Sequence, residues 1–273
     1  MNWDLDKNEI FINGVNHSNI SYPDEGNVLS YNLEENGAWF KQRNDLILTL
    51  IKKYPFFDDF LDIGGGNGFQ ALNIKNNCTK GKVLLCEPGY NGCLTAKKRN
   101  VEFVYNGVFQ DFPFQGYNMG GVGLFDVIEH IEDDTRFLNE LYNLLPRGAK
   151  VYITVPAMKL LWAEIDSPSG HFRRYNKKEL KRLTSNVPFK LLDYGYYFNF
   201  YVLPMFLLRV LPYRIGIRKG WDKILKEEEA NHKNNKGIIS SIIENMHKRS
   251  VKLLLKGRKQ IVGTSMYIVL EKV

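Results

Sequence analysis

The residues best suited to chemistry lie between positions 62 and 87: Asp62-x-Gly64-x-Gly66-x-Gly68, and then Glu87, 25 residues after Asp62. Glycines permit positive φ and let a ligand approach the backbone, and a helix opening behind them offers free N–H groups and a partial positive charge. Spacing decides among ligands. A dinucleotide loop puts its third glycine five positions after the first; this chain has Phe69 there counting from Gly64, or Ala71 counting from Gly66. A phosphate-cradling loop ends in Gly-Lys-Ser/Thr, and none is present. An acid two residues before the first glycine opposes a pyrophosphate but suits an ammonium or sulfonium group. A carboxylate at Glu87 can accept hydrogen bonds from both hydroxyls of a ribose.

Two histidines and two arginines form the second set of candidates. His171 is the first choice of general base and His130, directly after Glu129, the second; His130 serves equally well to orient Asp126 or cap a helix. Arg173 and Arg174 can grip a carboxylate or phosphate in bidentate fashion, with Tyr175 beside them. The alternative is a solvated basic loop in which Tyr175 packs ahead of the next helix. Five histidines and three cysteines (Cys78, Cys86, Cys93) fit no zinc spacing and no H-E-x-x-H, so no metal site is expected. The cysteines are too few for a disulfide framework, and no basic start leads into an apolar run at the N-terminus, so a cytoplasmic location is expected.

The elements that must position these groups alternate. Trp39, Phe40, Leu46, Ile47, Leu50 and Ile51 fall on one helical stripe ending near Pro55, with Arg43 among them; Arg43 either closes over the site or serves packing. Strands are predicted at Phe60–Ile63, Val83–Glu87, Val101–Tyr105, Met119–Leu124, Val151–Val155, Lys190–Tyr197 and Ser265–Leu270. Helices are predicted after the glycine turn, over Phe137–Leu145, and from the Asn176-x-x-Glu179 capping box. Near-continuous apolar strands between amphipathic helices indicate a sheet covered on both faces. The fold class is α/β, a doubly wound, Rossmann-like, mostly parallel seven-stranded sheet. An N-terminal polar segment and helical lid (1–56) precede a core of 57–197 plus 264–273, and 198–263 form a helical insertion before the last strand. Asn13-Gly14 suits the turn of a small N-terminal hairpin.

Leu61-Asp62-Ile63-Gly64-Gly65-Gly66-Asn67-Gly68, Glu87, Phe125-Asp126-Val127-Ile128-Glu129-His130 and the strand Ser265–Leu270 together resemble the class I S-adenosylmethionine-dependent methyltransferases. The run 125–134, with Pro156-Ala157, Leu161-Trp162, Asp166 and 170–175, is similar to an uncharacterised group near the quinone-pathway methyltransferases. The resemblance implies that Asp62, Gly64, Gly65 and Gly66 hold the methionine end of S-adenosylmethionine, Glu87 its ribose, and Leu124, Phe125 and Asp126 flank the sulfonium. Val108 stands where many members carry an adenine-reading acid, which passes that contact to the backbone near Phe109, or to Gln110 and Asp111. Gly120 replaces the common acid of the fourth strand. The implied activity is methyl transfer to a small-molecule or lipid-linked acceptor, with S-adenosylhomocysteine as product. The rivals are a cofactor-binding protein without turnover and a nicotinamide oxidoreductase, the latter disfavoured by Asp62 and Phe69.

The net charge of +7 is local. Residues 1–208 hold 22 Lys/Arg against 24 Asp/Glu, whereas 209–260 hold 14 against 5, so no nucleic-acid partner is expected and electrostatic partners belong to that one segment. It follows an uncharged run, Tyr194–Leu208, too short to span a bilayer. Pro204 and Pro212 are expected to break any longer helix there. Either these residues roof the pocket, as short apolar runs usually do, or 198–260 make a peripheral membrane contact beside anionic lipid.

Overall fold

A computed structural model of the chain describes residues 3–15, 31, 34–35, 37–220 and 238–273. Among the described residues nine strands make one sheet: β1 (Asp4–Leu5), β2 (Phe11–Ile12), β3 (Asp59–Ile63), β4 (Val83–Glu87), β5 (Phe103–Asn106), β6 (Met119–Phe125), β7 (Lys150–Pro156), β8 (Lys190–Tyr197) and β9 (Ser265–Glu271). Their order is β1-β2-β5-β4-β3-β6-β7-β9-β8. β2 through β7 pair in parallel, while β9 inserts antiparallel between β7 and β8. Helices α1 (Ala38–Lys53), α2 (Phe69–Asn77), α3 (Tyr90–Lys98), α4 (Asp134–Leu144) and α5 (Lys177–Ser185) supply the covering layers.

Alternate strand residues feed two cores. Phe60, Val83 and Leu85 meet Leu46, Ile47 and Leu50 of α1 and Ala71 and Ile74 of α2 on one face. Leu61, Leu84, Val122 and Ile153 meet Phe137, Leu138 and Leu141 of α4 and Leu180 and Leu183 of α5 on the other. A strand buried on both faces has no polar side, which is why these read as continuous apolar runs. Asp133 caps α4 by accepting from the Arg136 N–H (2.9 Å), and Asn176 caps α5 by accepting from Lys178 and Glu179; such caps are worth about 1 kcal/mol each.

Nine strands replace the seven expected. The additional pair is the N-terminal hairpin, whose turn is residues 6–10 and not Asn13-Gly14. Asp6 holds it, its Oδ1 accepting from the Asn8 and Ile10 N–H groups (2.8 and 2.9 Å), and β2 extends the parallel sheet beside β5. A second difference lies after β8. Pro204 and Pro212 do not end the helix there: Val202–Met205, a π-helical turn Phe206–Val210 and Leu211–Arg214 form one continuous helical run. Pro204 sits in the first turn, where its missing N–H has no intrahelical partner to lose, and the wider π turn accommodates Pro212. Helix α6 (Ile238–Leu255) completes the described part of 198–263; 221–237 lie outside the described residues.

Candidate functional site

The glycine turn leaves the carboxyl end of β3, at the centre of the sheet. Gly64, Gly66 and Gly68 have φ of 66°, 50° and 73°. At Gly65 a side chain would meet Asp62 Oδ2 at 2.8 Å and Leu85. The turn therefore wraps closely around Asp62, which is fully buried, with no side-chain hydrogen-bond partner for either carboxylate oxygen among the described residues. Burial pushes its carboxyl up to about 8; Arg43 opposes the shift and Glu87 adds to it. An orphaned buried acid costs free energy, and a cationic ligand group seated there would relieve it.

Glu87 ends β4 beside this turn. Its Oε2 accepts from the Gly66 N–H (3.0 Å) and its Oε1 from the Gly89 N–H (2.7 Å). These bonds fix the carboxylate at the end of β4, beside the turn. A latch invisible to sequence reading holds the turn from behind. Arg99 binds Glu34 (2.5 Å), Glu35, the Asn67 carbonyl (3.0 Å) and the Tyr31 carbonyl, and Asn67 donates to Glu34 (3.2 Å).

Asp126, at the end of β6, adopts a positive φ of 58°. Its N–H bonds the Thr154 carbonyl (2.8 Å) and its carboxylate pairs with Arg43. Strained non-glycine backbone concentrates at functional sites. Arg43 also stacks on Trp39 at 4.7 Å and meets the Gln70 amide oxygen when that amide is oriented toward it. Arg43 thus ties helix α1 to Asp126 after β6 and to α2, around Asp62. Val127 touches Gly64, where a side chain would meet it at 2.9 Å, so the two halves of the site are in contact.

Beyond Asp126 lie the titratable groups. Glu129 is buried, its Oε2 without a partner among the described residues, and burial followed by Asp126 pushes its carboxyl well above the ordinary range. Burial and then His171 depress His130 to about 4, so its imidazole is neutral at pH 7. The His130 and His171 rings meet edge to face at 4.8 Å. His171 is presented by a loop closed at its base by the Ala157–Tyr175 bridge. Its Nδ1 lies 2.8 Å from Asp166 Oδ1, so this contact engages one ring nitrogen and not Nε2. Asp166 is fully buried and also accepts from Arg174 Nε and the Ala163 N–H, both at 2.8 Å. Burial alone would raise the Asp166 carboxyl, but these partners hold it below its usual value. Ligand-type atoms of Glu129, His130 and His171 lie within 4.8 Å of one another, a grouping that the linear spacing did not reveal.

The remaining sequence candidates divide. Arg174 is spent on Asp166, and Tyr175, fully buried, donates to Asp134 (2.7 Å). Arg173 pairs with Asp134 (2.9 Å) and donates to the Ile131 carbonyl, yet stays one-fifth exposed at 20%. Leu124 packs in the buried core, and Phe125 lies over Gly123. Phe109 is buried against Phe137, while Gln110 and Asp111 face Glu140 and Asn13. Gly120 has a packing cause: a side chain there would come within 1.6 Å of the Phe57 carbonyl oxygen.

Known proteins match this chain in sequence and in fold. A family model described as a methyltransferase domain matches residues 29–194. A probable S-adenosylmethionine-dependent methyltransferase of Mycolicibacterium smegmatis is 24% identical over 163 residues, 59% of this chain and 63% of the relative. The plantazolicin methyltransferase BamL, solved with a triazolic desmethylPZN analogue and SAH, superposes with a TM-score of 0.55 at 13% identity, covering 93% of each chain. Haemonchus contortus phosphoethanolamine N-methyltransferase 2, solved with S-adenosyl-L-methionine, superposes at 0.51 with 17% identity, over 93% of this chain and 58% of that one. This chain thus spans less than two thirds of the M. smegmatis and H. contortus proteins. A parallel sheet with its glycine turn, acid and strand-end carboxylate in register agrees with the family match: the chain belongs to the methyltransferase-domain family, and S-adenosylmethionine is the cofactor its site fits.

Proposed function

We propose that this protein transfers the methyl group of S-adenosylmethionine to a small-molecule or lipid-linked acceptor at the carboxyl edge of β3, β4, β6 and β7. The observation that carries this reading is the buried Asp62 carboxylate, without a side-chain partner among the described residues, inside a glycine turn beside Glu87. When bound, the cofactor supplies a methyl group on a sulfonium. Asp62 receives the ammonium end, Glu87 the ribose hydroxyls, and Arg43 with Trp39 closes the lid and excludes water. His171 is the general base: Asp166 holds Nδ1, and Nε2 takes the proton of the acceptor. Proton transfer of this kind contributes about 10²–10⁴-fold. Arg173, still partly exposed, is the contact for an anionic acceptor, while Arg174 and Tyr175 frame the loop.

The test is transfer of label from methyl-labelled S-adenosylmethionine into aqueous and lipid fractions of a cell extract. Label incorporated by the wild type and lost in His171→Asn, with cofactor affinity retained, supports the reading. No incorporation into any fraction leaves a cofactor-binding protein without turnover. The Glu129, His130 and His171 grouping favours a second reading, in which these residues hold a divalent cation that polarises the acceptor. Activity abolished by chelation and restored by a divalent metal would select it; activity indifferent to chelation selects the base.

A further inference from the structure

The structure divides the apolar run Tyr194–Leu208 in two. Tyr196, Tyr197 and Phe198 are buried on the sheet, as a roof requires. From Leu203 onward the opposite holds. Leu203, Leu208 and Ile215 are 65%, 68% and 66% exposed, and Leu207, Leu211 and Ile217 are each at least two-fifths exposed. The inner side of the same helical run is anchored: Val210 is fully buried against Leu161 and Ala163, with Met205 and Phe206 alongside. The run is stapled to the loop that carries Asp166 and His171. Arg214 donates to the Leu160 carbonyl (2.9 Å), and Glu164 accepts from the Lys219 and Gly220 N–H groups (3.0 and 3.2 Å).

Residues 202–220 carry Arg209, Arg214, Arg218 and Lys219 and no acid. The Arg218 guanidinium lies 3.9 Å from the centre of the Tyr213 ring, and that of Arg214 lies 5.9 Å from the centre of the Phe206 ring. Such contacts set charged heads at the border of an apolar surface. We propose that this stripe docks the protein on an anionic lipid bilayer, with the leucines and isoleucines in the acyl boundary and the basic side chains among the head groups. Leu160, half exposed, extends the apolar surface onto the His171 loop. Charge selects the occupant. Even with Glu164 beside Arg218 and Lys219, a second copy meeting this face about a two-fold axis would set a net positive patch against itself, whereas an anionic surface opposes it with the complementary sign. No helix among the described residues is long and apolar enough to cross a membrane, so the contact is peripheral. The presentation of a lipid-linked acceptor to His171 rests on the methyl-transfer reading; docking itself does not, and its test involves no turnover.

The test is co-sedimentation of the full chain with phosphatidylcholine vesicles and with phosphatidylcholine–phosphatidylglycerol vesicles, at low and high salt. The expected result is binding to the anionic vesicles at low salt and release at high salt. Binding should be lost in Leu208→Asp and Ile215→Asp, substitutions at sites exposed enough to leave the fold intact. It should weaken about fivefold for each of Arg214→Ala and Arg218→Ala. Absence of binding to anionic vesicles at low salt overturns the proposal, as does wild-type binding by both aspartate variants. A concentration-dependent dimer that Leu208→Asp converts to monomer assigns the face to a second copy and overturns it as well.

Discussion

Asp62→Asn separates stability from function. The folded protein holds the Asp62 carboxyl at about 8 against an ordinary value of 3.8. Because the folded state binds this proton more tightly than the unfolded chain, the native state has its full stability below about pH 4. It loses stability as pH rises to about 8 and is level above that. At about 1.4 kcal/mol per pH unit, the ionised carboxylate costs the folded protein up to ~6 kcal/mol. Asparagine removes the ionisation but leaves a buried amide to satisfy, at ~1–3 kcal/mol. The net expectation at about pH 9, without ligand, is a variant more stable than wild type by ~3–5 kcal/mol. The advantage shrinks with falling pH, vanishes at about pH 5–6, and becomes a deficit of ~1–3 kcal/mol near pH 4, where only the buried amide counts. Thermal melts monitored by circular dichroism from about pH 4 to 9 measure it. The same variant should bind S-adenosylhomocysteine about 10–100-fold more weakly, since the ammonium loses a charge-assisted partner worth ~1.5–3 kcal/mol. A variant no more stable than wild type at pH 9, or one with the same advantage at both ends of the range, would refute the reasoning.

Arg174→Ala should destabilise the protein by about 3–5 kcal/mol, because it strands the buried Asp166 carboxylate; an unchanged urea midpoint would contradict the buried pair. Asp166→Asn should lower kcat about 10²-fold or more, with cofactor affinity unchanged by calorimetry, since the orientation of His171 depends on that carboxylate. Gly120→Asp, which restores the acid common in the fourth strand, should fold poorly or not at all. Soluble expression and a cooperative melt would contradict the packing account, because the added Cβ has only 1.6 Å to the Phe57 carbonyl oxygen.

The parallel core was legible because its strands are buried on both faces and its turns carry their own chemistry. Asp62, Glu87 and the glycines were legible for the same local reason: strand, turn and helix fix their positions within 26 residues. Contacts between distant segments left no comparable trace. The Arg99–Glu34 pair joins positions 65 residues apart, and nothing in the neighbourhood of Arg99 distinguishes it from a solvated lysine. Glu129 entered only as the neighbour of His130 in a motif, and nothing in the linear order announced its burial beside both histidines. The N-terminal hairpin was misplaced because a side chain, Asp6, makes its turn, and two-residue strands carry almost no periodicity. Arg43 stood in an apolar stripe with two readings open, and no local pattern announced its ion pair with Asp126, 83 positions away. The insertion divided at a point that hydropathy could not locate, since Phe198 and Leu203 look alike until one is buried and the other exposed.

The central claim, that S-adenosylmethionine binds at the glycine turn between Asp62 and Glu87, is tested most directly by calorimetric titration of the wild type and Glu87→Ala with S-adenosylhomocysteine, with NAD as the control ligand. The account predicts about one equivalent of S-adenosylhomocysteine bound by the wild type, no heat from NAD, and affinity reduced about 10–100-fold in Glu87→Ala, the ~1.5–3 kcal/mol of charge-assisted hydrogen bonds. Saturable NAD binding, no binding of S-adenosylhomocysteine, or a Glu87→Ala isotherm that overlays the wild type would contradict it.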